Sequence, residues 1–209
     1  VAFPLELKAG DAGKPNRPQE PESPLGYKTE EVTFTNQKAH VSLAGTLTYP
    51  VNYTPDKKVP VVIMVTGSGA QNRDEEVFAH KPFRVIADYL AKQGIASLRY
   101  DDRGVGQSTG NQAGYTSADF AEDAACGLSW LKSSGKFNQV GILGHSEGGL
   151  IAFMLGAEGK ADFLVSMAGP GIKGDSLLVE QQNALFKLKG IPSNVNVSTL
   201  RKSMATQPG

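Results

Sequence analysis

Residues 59–65 read VPVVIMV, an unbroken apolar run with no polar alternation. A strand with one wet face alternates with period two, so a continuous β-branched run of this length marks a strand buried on both faces. Such a strand needs helices above and below its sheet. Strand-like runs recur at GIASLRY (94–100), QVGILG (139–144) and DFLVSMA (162–168). Helical patterns separate them. PFRVIADYLAKQ (82–93) places Val85, Ile86, Tyr89 and Leu90 on one face and stops at Gly94. Residues 117–133 offer Ser117 and Asp119 as caps and run through Phe120, Ala124, Leu128 and Leu131. Residues 147–157 are apolar almost all round and are expected to be buried. Alternating strands and helices predict an α/β fold with a mostly parallel sheet. Ahead of it, EVTFTN (31–36) and HVSLAGTLTYP (40–50) read as an antiparallel pair turning near Gln37 and Lys38.

The chain divides into an arm at 1–29, a core at 30–173 and two helical patterns at 174–209, read as DSLLVEQQNALFKLK (175–189) and residues 197–205. The arm carries GKPNRPQEPESP, whose four prolines favour extended backbone over helix. It is expected either to lie on the domain or to tether something upstream. Lys plus Arg balance Asp plus Glu at 21 each, which argues against nucleic acid as a partner. One cysteine, Cys126, excludes a disulfide framework and a cysteine-rich zinc site, and it reads with Trp130 as core. No apolar stretch approaches the ~20 residues of a membrane span. Histidine occurs three times, at His40, His80 and His145.

Gly144-His145-Ser146-Glu147-Gly148 fits G-x-S-x-G and stands where that pattern can act, after the QVGIL strand and before the EGGLIAFMLGA helix. A serine forced into so sharp a turn needs glycine on either side, because a Cβ at 144 or 148 would meet neighbouring backbone. The helix that follows aims its N-terminus at Ser146 and favours negative charge there. A glycine-rich turn with an incidental serine is the plain alternative.

Three further blocks accompany this elbow: Gly67-Ser68-Gly69-Ala70-Gln71-Asn72-Arg73-Asp74-Glu75, His80-Lys81-Pro82-Phe83, and Tyr100-Asp101-Asp102-Arg103-Gly104-Val105-Gly106-Gln107-Ser108. In this order the four blocks resemble the α/β-hydrolase superfamily, and within it bacterial esterases. The resemblance implies Ser146 as acyl nucleophile. It implies an oxyanion hole made by the N–H of Glu147 and an N–H from the loop after VPVVIMV, Ser68 first and Gly69 next. Thr66 stands where the family usually has His. The Asp101–Arg103 block is expected to form a structural ion-pair network that holds loops near the site. Arg73, Asp74 and Glu75 are expected to serve solvated or structural roles, with lining of the pocket entrance or capping of the next helix as the alternative. GSGAQN lacks the third glycine of a dinucleotide fingerprint and no G-K-S/T follows. The acyl-serine mechanism that the resemblance implies calls for no cofactor or metal.

Superfamily triads run Ser, then Asp or Glu, then His. No histidine follows Ser146. His145 leaves the elbow in another direction than the Ser146 hydroxyl, His80 precedes a helix, and His40 belongs to the first hairpin. Asp175 follows the DFLVSMA strand, a position some relatives use for the acid. The expectation is therefore that the triad acid and His lie outside these residues. The chain would be the N-terminal part of a longer hydrolase, its last strands absent and 174–209 the start of a helical cap. Its partners would be a small-molecule ester and the remainder of the same enzyme. The expected activity is hydrolysis of carboxylic esters with small or medium acyl groups. Amidase, thioesterase or peptidase chemistry remains open within the fold, as does a non-catalytic binding module. The first residue is Val1, so an upstream segment is expected. The compartment is not written in the chain, with the resemblance leaning to the bacterial periplasm or secretion and a cytoplasmic setting still open.

Overall fold

The computed structural model describes residues 16–23, 25–111, 113–192 and 196–205, and the opening VAFPLEL lies outside them. The described strands form one six-stranded sheet. β1 (Thr29–Asn36) and β2 (Val41–Thr48) pair antiparallel in the register Thr29↔Thr48 to Asn36↔Val41. Their turn closes where His40 takes a left-handed φ of 53° and Asn36 Oδ1 accepts the Ala39 N–H at 3.1 Å. β3 (Val59–Val65), β4 (Ala96–Tyr100), β5 (Phe137–His145) and β6 (Leu164–Met167) run parallel to one another, and β4 joins β2 antiparallel. The sheet order is β1-β2-β4-β3-β5-β6.

Three helices connect these strands: α1 (Pro82–Lys92), α2 (Ser117–Ser133) and α3 (Glu147–Ala157). The pleat of β3 explains why it needed no polar face. Val61, Ile63 and Val65 pack with Leu128, Leu131, Ile151 and Leu155 of α2 and α3. Val62 and Met64 pack with Phe83 and Ala87 of α1. Burying one such aliphatic side chain stabilises the fold by about 1.5–3 kcal/mol. From β3 the chain steps out to β4 and then crosses back to β5 on the other side of β3. The loops leaving β3 and β5 therefore diverge at a switch point, which opens a crevice at the C-terminal ends of the strands.

The buried stripe of α1 differs from the expected one. Phe83, Ala87 and Ala91 are buried, Ile86 and Leu90 are partly covered, and Tyr89 is exposed. Small alanines let the helix lie close to the sheet, which rotates the larger side chains to its flanks. β4 begins two residues later than the apolar pattern does. Gly94, at φ +84°, closes α1 through Gly94 N–H to Ala91 O (3.4 Å) and Ile95 N–H to Leu90 O (3.0 Å), so Ile95 belongs to the helix cap. α2 starts from Thr116, whose N–H and hydroxyl both donate to Asp119 Oδ2 at 2.8 Å. Cys126 and Trp130 are half-buried against the core.

Beyond β6, α4 (Gly174–Leu188) buries no residue, and α5 (Val197–Ala205) is tied to it by an Arg201–Asp175 ion pair. Leu164 and Val165 of β6 and Leu178, Leu185 and Leu188 of α4 are exposed. At the other end of the chain, residues 16–21 lie against the segment that leads into α1. Arg17 donates to Phe78 O (3.1 Å) and Ala79 O (3.4 Å), and Arg84 donates to Pro21 O (3.3 Å). Phe78 and Ala79 form a two-residue turn with φ of 51° and 59°, bracketed by the Val77–His80 bridge.

Candidate active site

Ser146 ends β5 and caps α3 with φ 52° and ψ −115°. A serine there is strained, and such strain collects at functional turns. The flanking glycines are required by contact. A Cβ on Gly144 would lie 1.9 Å from Gly148 O, and one on Gly148 would lie 2.1 Å from Val65 O. A Cβ on Gly149 would lie 2.6 Å from Gly169 Cα. β3, β5 and the start of α3 are thus pressed together at the elbow. The Ser146 N–H donates to Met167 O at 2.9 Å, which ties the elbow to β6 as well. Among the described residues the Ser146 hydroxyl has no hydrogen-bond partner.

The cleft at Ser146 has a volume of about 360 Å³ and is lined by Gly67, Ser68, Gln71, Glu75, Val77, Pro82, His145 and Ser146. Ser68 shares the cleft with Ser146, whereas Gly69 lines a small space of about 10 Å³ with Thr66, Tyr100, Asp102 and Glu147. Neither Ser68 N–H nor Glu147 N–H has a partner among the described hydrogen bonds. The Glu147 side chain turns away and accepts the Ser117 hydroxyl at 2.5 Å.

The 66–75 loop is held from below by the 100–108 loop. Thr66 Oγ1 donates to Asp102 Oδ1 (3.0 Å) and Gln71 N–H to Asp102 Oδ2 (3.1 Å). Asp101 accepts from the Arg73 N–H (2.9 Å), from Arg73 Nε (3.1 Å) and Nη2 (2.8 Å), and from the Gln107 N–H (3.2 Å). Arg103 is buried in a two-bond pair with Asp123, at 2.7 Å through both Nε and Nη2, and its guanidinium lies 4.1 Å from the Tyr115 ring. These contacts form the expected ion-pair network. Burial pushes the Asp102 carboxyl up to about 7, against the Gln71 and Thr66 hydrogen bonds that favour its ionised form; Asp123 and Glu147 add to the upward push. Arg73 and the backbone N–H groups of Arg73 and Gln107 instead hold Asp101, despite its own burial, below the usual carboxylate range.

Glu75 takes the structural rather than the solvated role and also lines the cleft: it is 5% exposed, has φ 51°, and stands between Gly67 and the elbow. Its Oε1 accepts the Gly67 N–H at 2.7 Å and lies 2.8 Å from His145 Nδ1. His145 is thereby turned to Glu75 and makes no hydrogen bond to Ser146. His80 pairs with Gln19 at 3.4 Å and His40 sits in the β1–β2 turn. Asp175 is occupied by Arg201 at the start of α4. Among the described residues no group of three or more His, Cys, Asp and Glu has the arrangement to hold a metal ion, and no helix is long and apolar enough to cross a membrane.

The family model described as serine aminopeptidase, S33, matches residues 81–199. Esterase EstD of Thermotoga maritima is 31% identical over 172 residues, covering 82% of this chain and 39% of that protein. An acyl transferase of Photobacterium phosphoreum is 28% identical over 123 residues, covering 58% of this chain and 37% of the other. The chain thus spans about two fifths of the length of these curated relatives. The solved structure of a Pyrococcus furiosus esterase superposes with a TM-score of 0.60 at 22% identity, covering 85% of this chain and 61% of that one. That likeness fits the sheet and helices described above to the α/β-hydrolase fold.

Proposed function

Because the chain belongs to the serine aminopeptidase S33 family of α/β hydrolases, we propose that it carries the nucleophile half of a serine esterase acting on small or medium acyl groups. The observation that carries this reading is the strained Ser146, placed on one cleft with Ser68 at the N-terminus of α3. In the proposed reaction Ser146 Oγ attacks the ester carbonyl carbon and its proton passes to a general base. The tetrahedral oxyanion accepts hydrogen bonds from Glu147 N–H and Ser68 N–H, with Gly69 the second choice on the loop side. Collapse releases the alcohol, which takes the proton, and water then repeats the cycle on the acyl-enzyme. The positive end of α3 favours both negative intermediates.

The base and its acid are assigned to a His and an Asp in sequence outside these 209 residues. His145 is engaged with Glu75, and His40 and His80 stand elsewhere. α4 and α5, with their exposed leucines, are assigned to the beginning of a cap over the cleft. A small-molecule ester and the remainder of the hydrolase are the partners. The family description favours a second reading within the same chemistry, attack on an amide.

The test uses the full protein with p-nitrophenyl acetate and butyrate, aminoacyl p-nitroanilides, and a fluorophosphonate label. Ester turnover with label on Ser146, and a loss of roughly a millionfold in kcat in Ser146→Ala, is the expected result. Turnover that survives Ser146→Ala removes the assignment. Turnover of the anilides alone replaces esterase with amidase.

A further inference from the structure

Glu75 is costly to keep where it is. Its carboxylate is almost wholly buried, its backbone is left-handed without being glycine, and no cation of Lys or Arg pairs with it among the described ion pairs. Burying a carboxylate is unfavourable unless hydrogen bonds replace its water, and left-handed backbone at a non-glycine residue adds a cost of about 1–3 kcal/mol. Both costs recur where a local geometry matters more than stability.

What Glu75 receives in return defines its place. One oxygen, Oε1, takes the Gly67 N–H at 2.7 Å and faces His145 Nδ1 at 2.8 Å. Gly67 precedes Ser68, and His145 precedes Ser146. The single oxygen therefore joins the residue before the loop donor to the residue before the nucleophile. The fit is close. A Cβ on Gly67 would meet Glu75 Oε1 at 3.2 Å, Ser146 Cβ at 3.3 Å and His145 Nδ1 at 3.4 Å. Glu75 is itself held within its own loop by its N–H to Asn72 O at 2.9 Å. Its bond to the Gly67 N–H also withdraws that donor from the cleft. Ser68 is then the first free N–H of the loop.

We propose that Glu75 is a positioning residue that sets the separation and relative aim of the Ser68 and Glu147 N–H groups, through Gly67 on one side and His145 on the other. The proposal rests on the serine-hydrolase reading of Ser146. It predicts that loosening Glu75 harms the transition state and spares ground-state binding, because only the tetrahedral oxyanion needs both donors at one point.

The experiment compares Glu75→Ala and Glu75→Gln in the full protein, each checked for a native circular dichroism spectrum. Glu75→Ala is expected to lower kcat roughly ten- to hundredfold with KM within about twofold, as expected of a small misplacement at the reacting centre. A phenylboronic acid, which forms a tetrahedral adduct on the serine, should lose affinity by the same factor. Glu75→Gln keeps a carbonyl oxygen of the same reach and should recover most of both losses. Hydrogen exchange at the Gly67 amide should quicken in Glu75→Ala and remain slow in Glu75→Gln. A folded Glu75→Ala protein with unchanged kcat overturns the proposal, as does a change confined to KM. If Glu75→Ala does not fold, Glu75→Asp, which shortens the reach by one methylene, must show the same kcat loss or the proposal falls. If wild type neither turns over substrate nor takes the label at Ser146, the hydrolase reading falls first. Gly67 exchange then still decides the clamp, since unchanged exchange in Glu75→Ala refutes it.

Discussion

Asp102 carries the loop that contributes Ser68, and its titration gives a test of how that loop is held. Two effects oppose each other at this carboxyl. The Thr66 hydroxyl and the Gln71 N–H stabilise the charge, while burial and the neighbouring Asp123 and Glu147 destabilise it. Burial wins, and the carboxyl rises from the ordinary 3.8 to about 7. A group whose affinity for protons is raised by folding stabilises the fold most when protonated. Its contribution is therefore complete below about pH 4, falls as pH rises, and is gone above about pH 7. An interval of about three pH units at about 1.4 kcal/mol per unit makes about 4 kcal/mol. The perturbation is Asp102→Asn, which keeps an acceptor for Thr66 but turns an amide donor toward the Gln71 N–H. That mismatch is a fixed cost at every pH, so only the titrating part varies. Urea unfolding of both proteins from pH 4 to pH 8 gives the difference in stability. Wild type should lose about 4 kcal/mol relative to the variant across that range, most steeply between about pH 4.5 and 6.5. The lowered Asp101, Asp119 and Asp162 carboxyls act in the opposite direction below pH 4 and cancel in the comparison. A difference flat with pH, or rising with it, would mean that the two hydrogen bonds outweigh burial and that the reasoning is wrong.

The remaining predictions concern packing. Gly144→Ala must place a methyl 1.9 Å from Gly148 O, so a loss of about 3 kcal/mol, the upper part of the usual overpacking range, is expected in the urea midpoint; a loss under about 1 kcal/mol would show that the elbow can spread. Arg103→Met leaves Asp123 buried without its cation and should cost about 3–5 kcal/mol, while adding Asp123→Leu should recover more than half of it by removing the orphaned charge. Failure of the second change to recover stability would assign the cost to lost packing against Tyr115 and Phe120 instead.

The elbow was legible in the sequence because its requirements are local. Gly144 and Gly148 mark places where backbone meets backbone, and residue type alone encodes that. The buried strand β3 was legible because a strand covered on both faces has no polar phase to hide. The stripe of α1 was legible only in part: Ile86 and Leu90 do pack on the core, but the fully buried positions are Phe83, Ala87 and Ala91, two of them alanines. Hydropathy ranks residues by size as well as by burial, and alanine loses that ranking. Glu75 was least legible. It stands in a charged block, Arg73-Asp74-Glu75-Glu76, whose other members pair with Asp101, Arg99 and Asn72. Nothing in residue type foretells that one of four charged side chains turns inward, and a left-handed glutamate has no sequence signature comparable to glycine. His145 could be excluded as a base from the elbow's geometry, but its partner lies 70 positions earlier and emerges only from the fold.

The contact between residues 16–21 and the Val77–His80 turn has a practical side. Val77 and Pro82 form part of the cleft wall, and Arg17 holds the two carbonyls of the turn between them. Arg17 and the turn it holds therefore stand beside the cleft. Trimming the chain back to the start of β1 would thus remove a support of the cleft wall along with the arm.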